Sequence, residues 1–320
     1  MQPDVQSALL VFAPFVLFAS LAEAVVLDWR ARRARQRDPG TLVPGYDWRA
    51  MGVSLVDQVG RNLMRFVPIS LAAPAFALAE AHQLYQFELD TVTAVVGLFF
   101  AQEFLYYWYH RAAHRVRFFW ANHAVHHSPE QLNLSAAYRL GWFGQFAGAA
   151  IFFTPLVWIG FDAQVVLSVV GINLLYQFWI HATWIPKLGW LEYVLNTPSA
   201  HRVHHASNLR YLDANYGGVL ILFDRLFGTY VEEREDEPCV YGWTKPARSY
   251  NPLVIEVGPW IALFRDMLGA RNLLHALGYL LMPPGWRADG PGETTEELRA
   301  RAGVSGAAAA REVVNAPVVN

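Results

Sequence analysis

Charge is what this chain has least of. Charged residues fill 16% of its 320 positions and hydrophobic residues fill 54%, whereas a soluble globular chain carries about a quarter charged residues. With a mean hydropathy of +0.19, that shortfall points away from a water-solvated domain and toward lipid. A net charge of -2 offers nucleic acid no positive surface. The single cysteine, Cys239, excludes an internal disulfide and stands outside any Cys-type metal motif; it reads as an ordinary buried or interfacial thiol. Also missing are a dinucleotide fingerprint, a Cys-ligated cluster, a haem motif and the HExxH pattern of zinc hydrolases. No solenoid repeat is present. The N-terminal apolar run Ala8 to Leu27 lacks a basic n-region and a small-residue cleavage site, so it is expected to remain as an anchor of spanning length.

Four more apolar stretches follow: Asn62 to Ala81, Leu89 to His110, Trp142 to Phe161 and Ala163 to Trp184. The last two are nearly contiguous and predict a tight helical hairpin. Together the five predict an all-α integral membrane bundle of four to five spanning helices. Arg30, Arg32, Arg33, Arg35 and Arg37 crowd the first connection, and the positive-inside rule assigns it to the cytoplasm. Counting spans from there delivers every histidine cluster to the same cytoplasmic side, as a histidine-rich helical cap. The Ala- and Arg-rich composition adds an expectation of a bacterial inner membrane. Val257 to Pro283, interrupted by Arg265, Asp266 and Arg271, reads as an interfacial amphipathic helix pair. Residues 1–283 are therefore taken as one membrane-embedded domain. The tail from Pro284 to Asn320 is predicted to be mostly disordered, with one short helix near Thr294 to Ala302.

Eight of the eleven histidines fall in three short boxes: "HRAAH" with His110 and His114, "HAVHH" with His123, His126 and His127, and "HRVHH" with His201, His204 and His205. At about 100° per residue, His110 and His114 are about 40° apart on a helix, and each HxxHH trio projects from one narrow stripe. Adjacent imidazoles make poor core packing, because each needs a buried hydrogen-bond partner. They make good ligands, because neutral imidazole offers a lone pair. Eight ligands exceed one coordination sphere, so two metals with open positions are expected. His181 ends an apolar span on the same side and reads as a ninth ligand, while His82 and His275 are expected to play no part. Glu103, seven positions before His110 and on nearly the same helix face, is a candidate hydrogen-bond partner for an imidazole. Asn133, Asn196, Asp213 and Asn215 flank the boxes as imidazole-orienting or helix-capping groups. Asp224 and Arg225 are candidates to pair with each other or with a nearby Glu, and "NYGG" predicts a turn with positive backbone angles.

The order HxxxH, HxxHH, a lone histidine after a span, then HxxHH resembles the fatty acid hydroxylase / sterol desaturase superfamily. "EFLYYWYHRAAH", "WANHAVHHSPEQLNLSAAYR", "NTPSAHRVHH" and "LDANYGGVLILFDRLFGTY" extend the likeness over Phe99 to Tyr230, most of all to alkylglycerol monooxygenase-like bacterial members. The resemblance implies a di-iron centre held by His110, His114, His123, His126, His127, His181, His201, His204 and His205. It implies O2 as co-substrate and attack on an unactivated C–H bond of a lipid, giving an alcohol, ether cleavage through hydroxylation, or a double bond. Ala200 and Arg115 depart from the pattern: Ala200 stands where many relatives carry a histidine, and Arg115 where the alkylglycerol monooxygenase-like members carry an acid. Electrons must then come from a separate redox protein or a diffusible pterin, since no redox motif is encoded. Two readings of other kinds compete. A membrane metal transporter would spread its ligands along a midplane pathway, and a zinc hydrolase would need a glutamate base inside a box.

Overall fold

A computed structural model of the chain describes residues 5–38, 40, 43–244 and 249–304. Among these residues no β-strand forms; three isolated bridges, such as Leu195 to Leu220, tie loops together. The helices in chain order are α1 (Val5–Arg37), α2 (Trp48–Met64), α3 (Ala73–Ala81), α4 (Val92–Arg115), α5 (Arg117–His123), α6 (Gly144–Ala147), α7 (Thr154–Ile159), α8 (Ala163–Ile180), α9 (Pro198–His205), α10 (Leu222–Phe227), α11 (Pro252–Leu268), α12 (Leu273–Leu281) and α13 (Thr295–Ala302). The all-α expectation holds.

The expected spans fare unequally. Phe12–Arg37 within α1 and Ala163–Ile180 of α8 are long and apolar enough to cross a membrane. α1 runs on through the arginines that the sequence placed in a loop. α4 is a continuous helix of 24 residues, about 36 Å long. The two other stretches are broken. Between Asn62 and Ala81, α2 stops at Met64 and α3 begins at Ala73, because Pro68 cannot continue the helical ladder. The Gln145 side chain satisfies the freed carbonyls of Met64 and Val67, at 2.7 and 3.1 Å. Between Trp142 and Phe161 the chain forms α6, a 3-10 turn over Ala149–Phe153 and α7, with Gly148 in the left-handed region at φ 68° between the first two. Mean hydropathy records how apolar a stretch is; it does not record whether the backbone runs on.

Caps set the ends that matter. Asp162 accepts from Gln164 and Val165 at the start of α8, and Thr197 caps α9 just before Pro198. These are the expected partners for the first free amides of a helix. The apolar core under α4 packs Leu98 and Tyr106 against Leu156, Val157, Phe161 and Val166. The C-terminal half of α4 thereby meets α8, and both helices point their last turns at one place.

The expected helix pair after Val257 is α11 and α12. The short helix expected near Thr294 to Ala302 is α13, which begins with a capping box between Thr294 and Glu297; the rest of 284–304 is not disordered as expected but folds back over the histidine region. Residues 305–320 lie outside the described part.

Glu103 illustrates how α4 organises the far loops. Its carboxylate is buried and accepts from the Asn173 side chain and from the amides of Val219 and Leu220 at 2.8 and 2.7 Å. It touches no imidazole; it fixes the loop that does. Glu103→Ala strands two buried amides, which should cost roughly 2–5 kcal/mol. The expected result is a clear drop in the thermal unfolding midpoint of the detergent-solubilised chain, and an unchanged midpoint would contradict this role.

Candidate metal centre

The nine predicted histidines come together, and all but the partly exposed His123 are buried. They divide into two clusters. His110, His114, His123, His127 and His204 form the first, and His126, His181, His201 and His205 the second; within each, one nitrogen per ring lies within 4.8 Å of all the others. His82 and His275 belong to neither.

The division crosses the boxes, and the reason is local. α5 ends at His123, so the single stripe predicted for HAVHH does not form. His126 and His127 sit on the turn that follows and point to different clusters. In HRVHH the helix does persist through His205. There the i,i+4 pair His201 and His205 faces the second cluster, while His204, rotated to the other side, reaches the first. Each HxxHH box therefore contributes to both clusters, and His114 and His181 arrive from the ends of α4 and α8.

The rings are held by hydrogen bonds from their outer nitrogens. Nδ1 of His110 meets the Tyr216 carbonyl at 2.8 Å, His126 the Arg139 carbonyl at 2.9 Å, His181 the Gln177 carbonyl at 2.7 Å and His204 the Ala214 carbonyl at 2.9 Å. A carbonyl only accepts, so each Nδ1 must carry the proton and each Nε2 must present a bare lone pair when the ring is neutral. The inward nitrogens nevertheless crowd together. His126 and His181 approach Nε2 to Nε2 at 3.4 Å, His181 and His201 at 3.2 Å, His201 and His205 at 3.0 Å, His110 and His123 at 3.1 Å, and His123 and His127 at 3.2 Å. His126 and His181 cannot share a proton between these atoms, since both protons are committed outward. Two lone pairs facing each other repel. A shared cation removes that repulsion, and ligand bonds of about 2.1 Å place neighbouring nitrogens about 3.0–3.4 Å apart. Nε2 of His114 and of His204 are buried with no hydrogen-bond partner, as ligand atoms of such a cation would be. The donor set fits a pair of first-row transition metals, for which imidazole is a suitable ligand.

Arg139 carries much of the support on the second side. Its buried guanidinium donates to Ser54, Ser128 and the Ala50 carbonyl at 2.7–3.0 Å, which positions the carbonyl that holds His126. Asp213 faces His114 Nδ1 at 3.5 Å and accepts from Arg115 at 2.8 Å. Burial alone would raise the Asp213 carboxyl, but His114, Arg115 and Thr295 outweigh it and hold it at about 2. Asn133 and Asn196 instead build backbone turns: Asn133 caps the 3-10 turn Leu134–Tyr138, and Asn196 donates to the carbonyls of Gly217 and Gly218. Asn215 does adopt a positive φ, 57°. Asp224 accepts from the amides of Tyr216 and Gly217, and Arg225 stacks on Tyr230 and Tyr193. The supporting carbonyls of Arg139, Gln177, Ala214 and Tyr216 leave no side-chain signature in the sequence.

A cavity of about 800 Å³ opens beside His114, His127, His204 and His205. Trp120, Trp243, Leu212 and Leu298 form part of its wall, α11 contributes Val254, Gly258 and Ala262, and Arg117, Arg265 and Asp266 supply charge. Chemistry at the first cluster is thus reachable by a ligand of considerable size.

Residues 95–229 match the family model for fatty acid hydroxylase. The human alkylglycerol monooxygenase is 38% identical over 67% of this chain and 46% of its own length. The zebrafish (Danio rerio) alkylglycerol monooxygenase is 40% identical over 58% of this chain and 41% of its own length. The ornithine lipid hydroxylase of Rhizobium tropici is 32% identical over 42% of this chain and 41% of its own length. The chain spans less than half the length of these relatives, and no solved structure matches it.

Acid should unfold the metal-free chain. Burial first, and then the neighbouring imidazoles, hold His123, His126, His127, His201, His204 and His205 well below the ordinary imidazole range. Unfolded histidines take up protons near pH 6.5 and these folded ones do not, so below that pH the unfolded state binds more protons. Each group then removes about 1.4 kcal/mol of stability per pH unit. The helical circular-dichroism signal of chelator-treated protein should be stable at pH 7 and above and collapse between about pH 6.5 and 5; a flat response over that interval would contradict the burial of neutral rings. Motif, cluster geometry and relatives agree: residues 95–229 match the fatty acid hydroxylase family, and the chain is similar there to alkylglycerol monooxygenases and to an ornithine lipid hydroxylase.

Proposed function

We propose that this chain is a membrane-embedded lipid oxygenase with a di-iron centre. The carrying observation is the pair of imidazole clusters opening onto a large, partly apolar cavity. His110, His114, His123, His127 and His204 would hold one iron, and His126, His181, His201 and His205 the other. Bound there, the iron pair supplies the redox chemistry that activates O2 toward an unactivated C–H bond. The neutral rings bring no negative charge, so the ligand set leaves the irons strongly electrophilic. The aromatic wall of Trp120 and Trp243 excludes water and accepts an alkyl or acyl chain, while Arg117, Arg265 and Asp266 face its polar end. The similarity to alkylglycerol monooxygenases and an ornithine lipid hydroxylase supports a lipid with a polar head and a long chain. The reductant is a separate partner, a redox protein or a pterin, because the chain carries no redox motif of its own.

The setting follows from exposed apolar surface. Phe15, Phe18, Phe66, Val92 and Leu268 are at least two-thirds exposed, and such faces are rarely left to water. In this reading residues 1–283 form one domain of four to five membrane-crossing or membrane-inserted passes around α1, α4 and α8. Glu23 of α1 bonds Trp184 and the Leu134 amide, so the arginine-rich end of α1 emerges on the same side as His181 and the clusters. The positive-inside rule then sets the histidine cap on the cytoplasmic side, in a bacterium at the inner membrane.

Two kinds of substitution separate metal from substrate. His126→Ala or His204→Ala should lower turnover at least about a hundredfold with loss of iron. Gly258 lines the cavity, and a Cβ there meets nothing within 4 Å, so Gly258→Phe should fold, keep its iron and lose at least about tenfold in turnover of long-chain substrate. The readout is mass spectrometry of lipids from cells with and without the gene, seeking gain of one oxygen that depends on O2. Lipid profiles indifferent to both the gene and His204→Ala would contradict the proposal.

A further inference from the structure

Three of the five rings in the first cluster take their orientation from one four-residue stretch. His110 bonds the Tyr216 carbonyl, His204 the Ala214 carbonyl, and His114 faces the Asp213 carboxylate. This stretch is strained, since Asp213 and Asn215 adopt φ of 53° and 57°, a region that L-residues other than glycine enter rarely. Strain of this kind persists only where the surroundings hold it. Asn215 provides one anchor through Ala200 and Val231, accepting from the Val231 amide and donating to both carbonyls.

α13 provides the other. Arg299 donates from Nε to the Leu209 carbonyl at 2.8 Å and from Nη2 to the Arg210 and Leu212 carbonyls at 3.2 and 2.5 Å. One planar guanidinium thus gathers three carbonyls just ahead of the strained stretch. Glu296 pairs with Arg115 at 2.6 Å, and the same Arg115 nitrogen reaches Asp213 at 2.8 Å. The second cluster is supported without α13: His126 leans on Arg139, and His181 on a carbonyl of its own helix.

We infer that α13 is a clasp for one metal of the pair: Arg299 and Glu296 are positioning residues that set the affinity of the first cluster and leave the second alone. Removing a hydrogen-bond partner of a metal-bound histidine weakens metal binding roughly tenfold to a hundredfold, and the clasp governs three such partners together. The C-terminal segment, about a hundred residues after the last box, thereby controls whether the centre holds two metals or one. The inference rests on the two-metal reading of the clusters.

The full-length chain in lipid nanodiscs, stripped by chelator and titrated with Co2+, tests it through the visible absorption of the bound ion. Wild type should take up two equivalents. Arg299→Ala with Glu296→Ala should keep one site at wild-type affinity and weaken the other roughly tenfold to a hundredfold. In a His205→Ala background the site that remains tight should weaken by the same factor; in a His204→Ala background it should not change. The milder Glu296→Gln should show the same split to a smaller degree and serves where the double variant folds poorly, and Lys187→Ala, on an exposed ion pair with Glu232, should have no effect. Two sites of unchanged affinity, or equal weakening of both, would overturn the clasp while leaving the two-metal reading intact. Fewer than two equivalents in the wild type would overturn both.

Discussion

The confrontation of His126 and His181 is the constraint on which the rest of the molecule depends. Their inward nitrogens lie 3.4 Å apart with both ring protons bonded outward to carbonyls. Without a cation this is a pair of buried lone pairs in mutual repulsion, set among nine crowded rings. Burying so many polar groups against one another is costly, and a protein can hold them only by a rigid outer frame. Much of the chain is that frame: Arg139 with its three partners, Glu103 with the two amides it binds, and Asp224 with the amides of Tyr216 and Gly217.

The frame also explains why the boxes are shared between clusters. If each box served one metal, the two sites could move apart as independent units. Because HAVHH and HRVHH each send rings to both clusters, the end of α5 and the whole of α9 are common walls. α4 and α8 close the two sides with His110, His114 and His181. Two metals bound there would be kept at a separation fixed by short segments of backbone, which suits the proposed chemistry of two ions acting on one oxygen molecule. The cavity touches rings of both clusters, with His205 from the second beside His114, His127 and His204 from the first.

Much of this was legible in the sequence, and the limits have physical causes. The identity of all nine rings followed from spacing and from the position of His181 after an apolar span. Their partition did not, because it turns on α5 ending at His123, which no residue between Trp120 and His127 announces. Hydropathy found the apolar stretches but passed over the breaks at Pro68, where Gln145 satisfies the freed carbonyls from a distance, and at Gly148. Most ring partners are main-chain carbonyls, which every residue possesses, so they carry no compositional trace. Glu103 was recognised as a group with a task, yet its task is to hold the loop of Val219 and Leu220 rather than a ring. Arg299 and Glu296 sit in the one short helix expected within the tail; only the fold reveals that their partners are the carbonyls of Leu209, Arg210 and Leu212 and the Arg115 side chain, far away in sequence.

Iron-edge anomalous diffraction from crystals of the iron-loaded chain tests the central claim most directly. The expected map holds two peaks, one within about 2.1 Å of inward nitrogens from His110, His114, His123, His127 and His204, the other at the same distance from those of His126, His181, His201 and His205. A single peak, or two peaks that each draw on one intact box, would contradict the crossed two-metal centre.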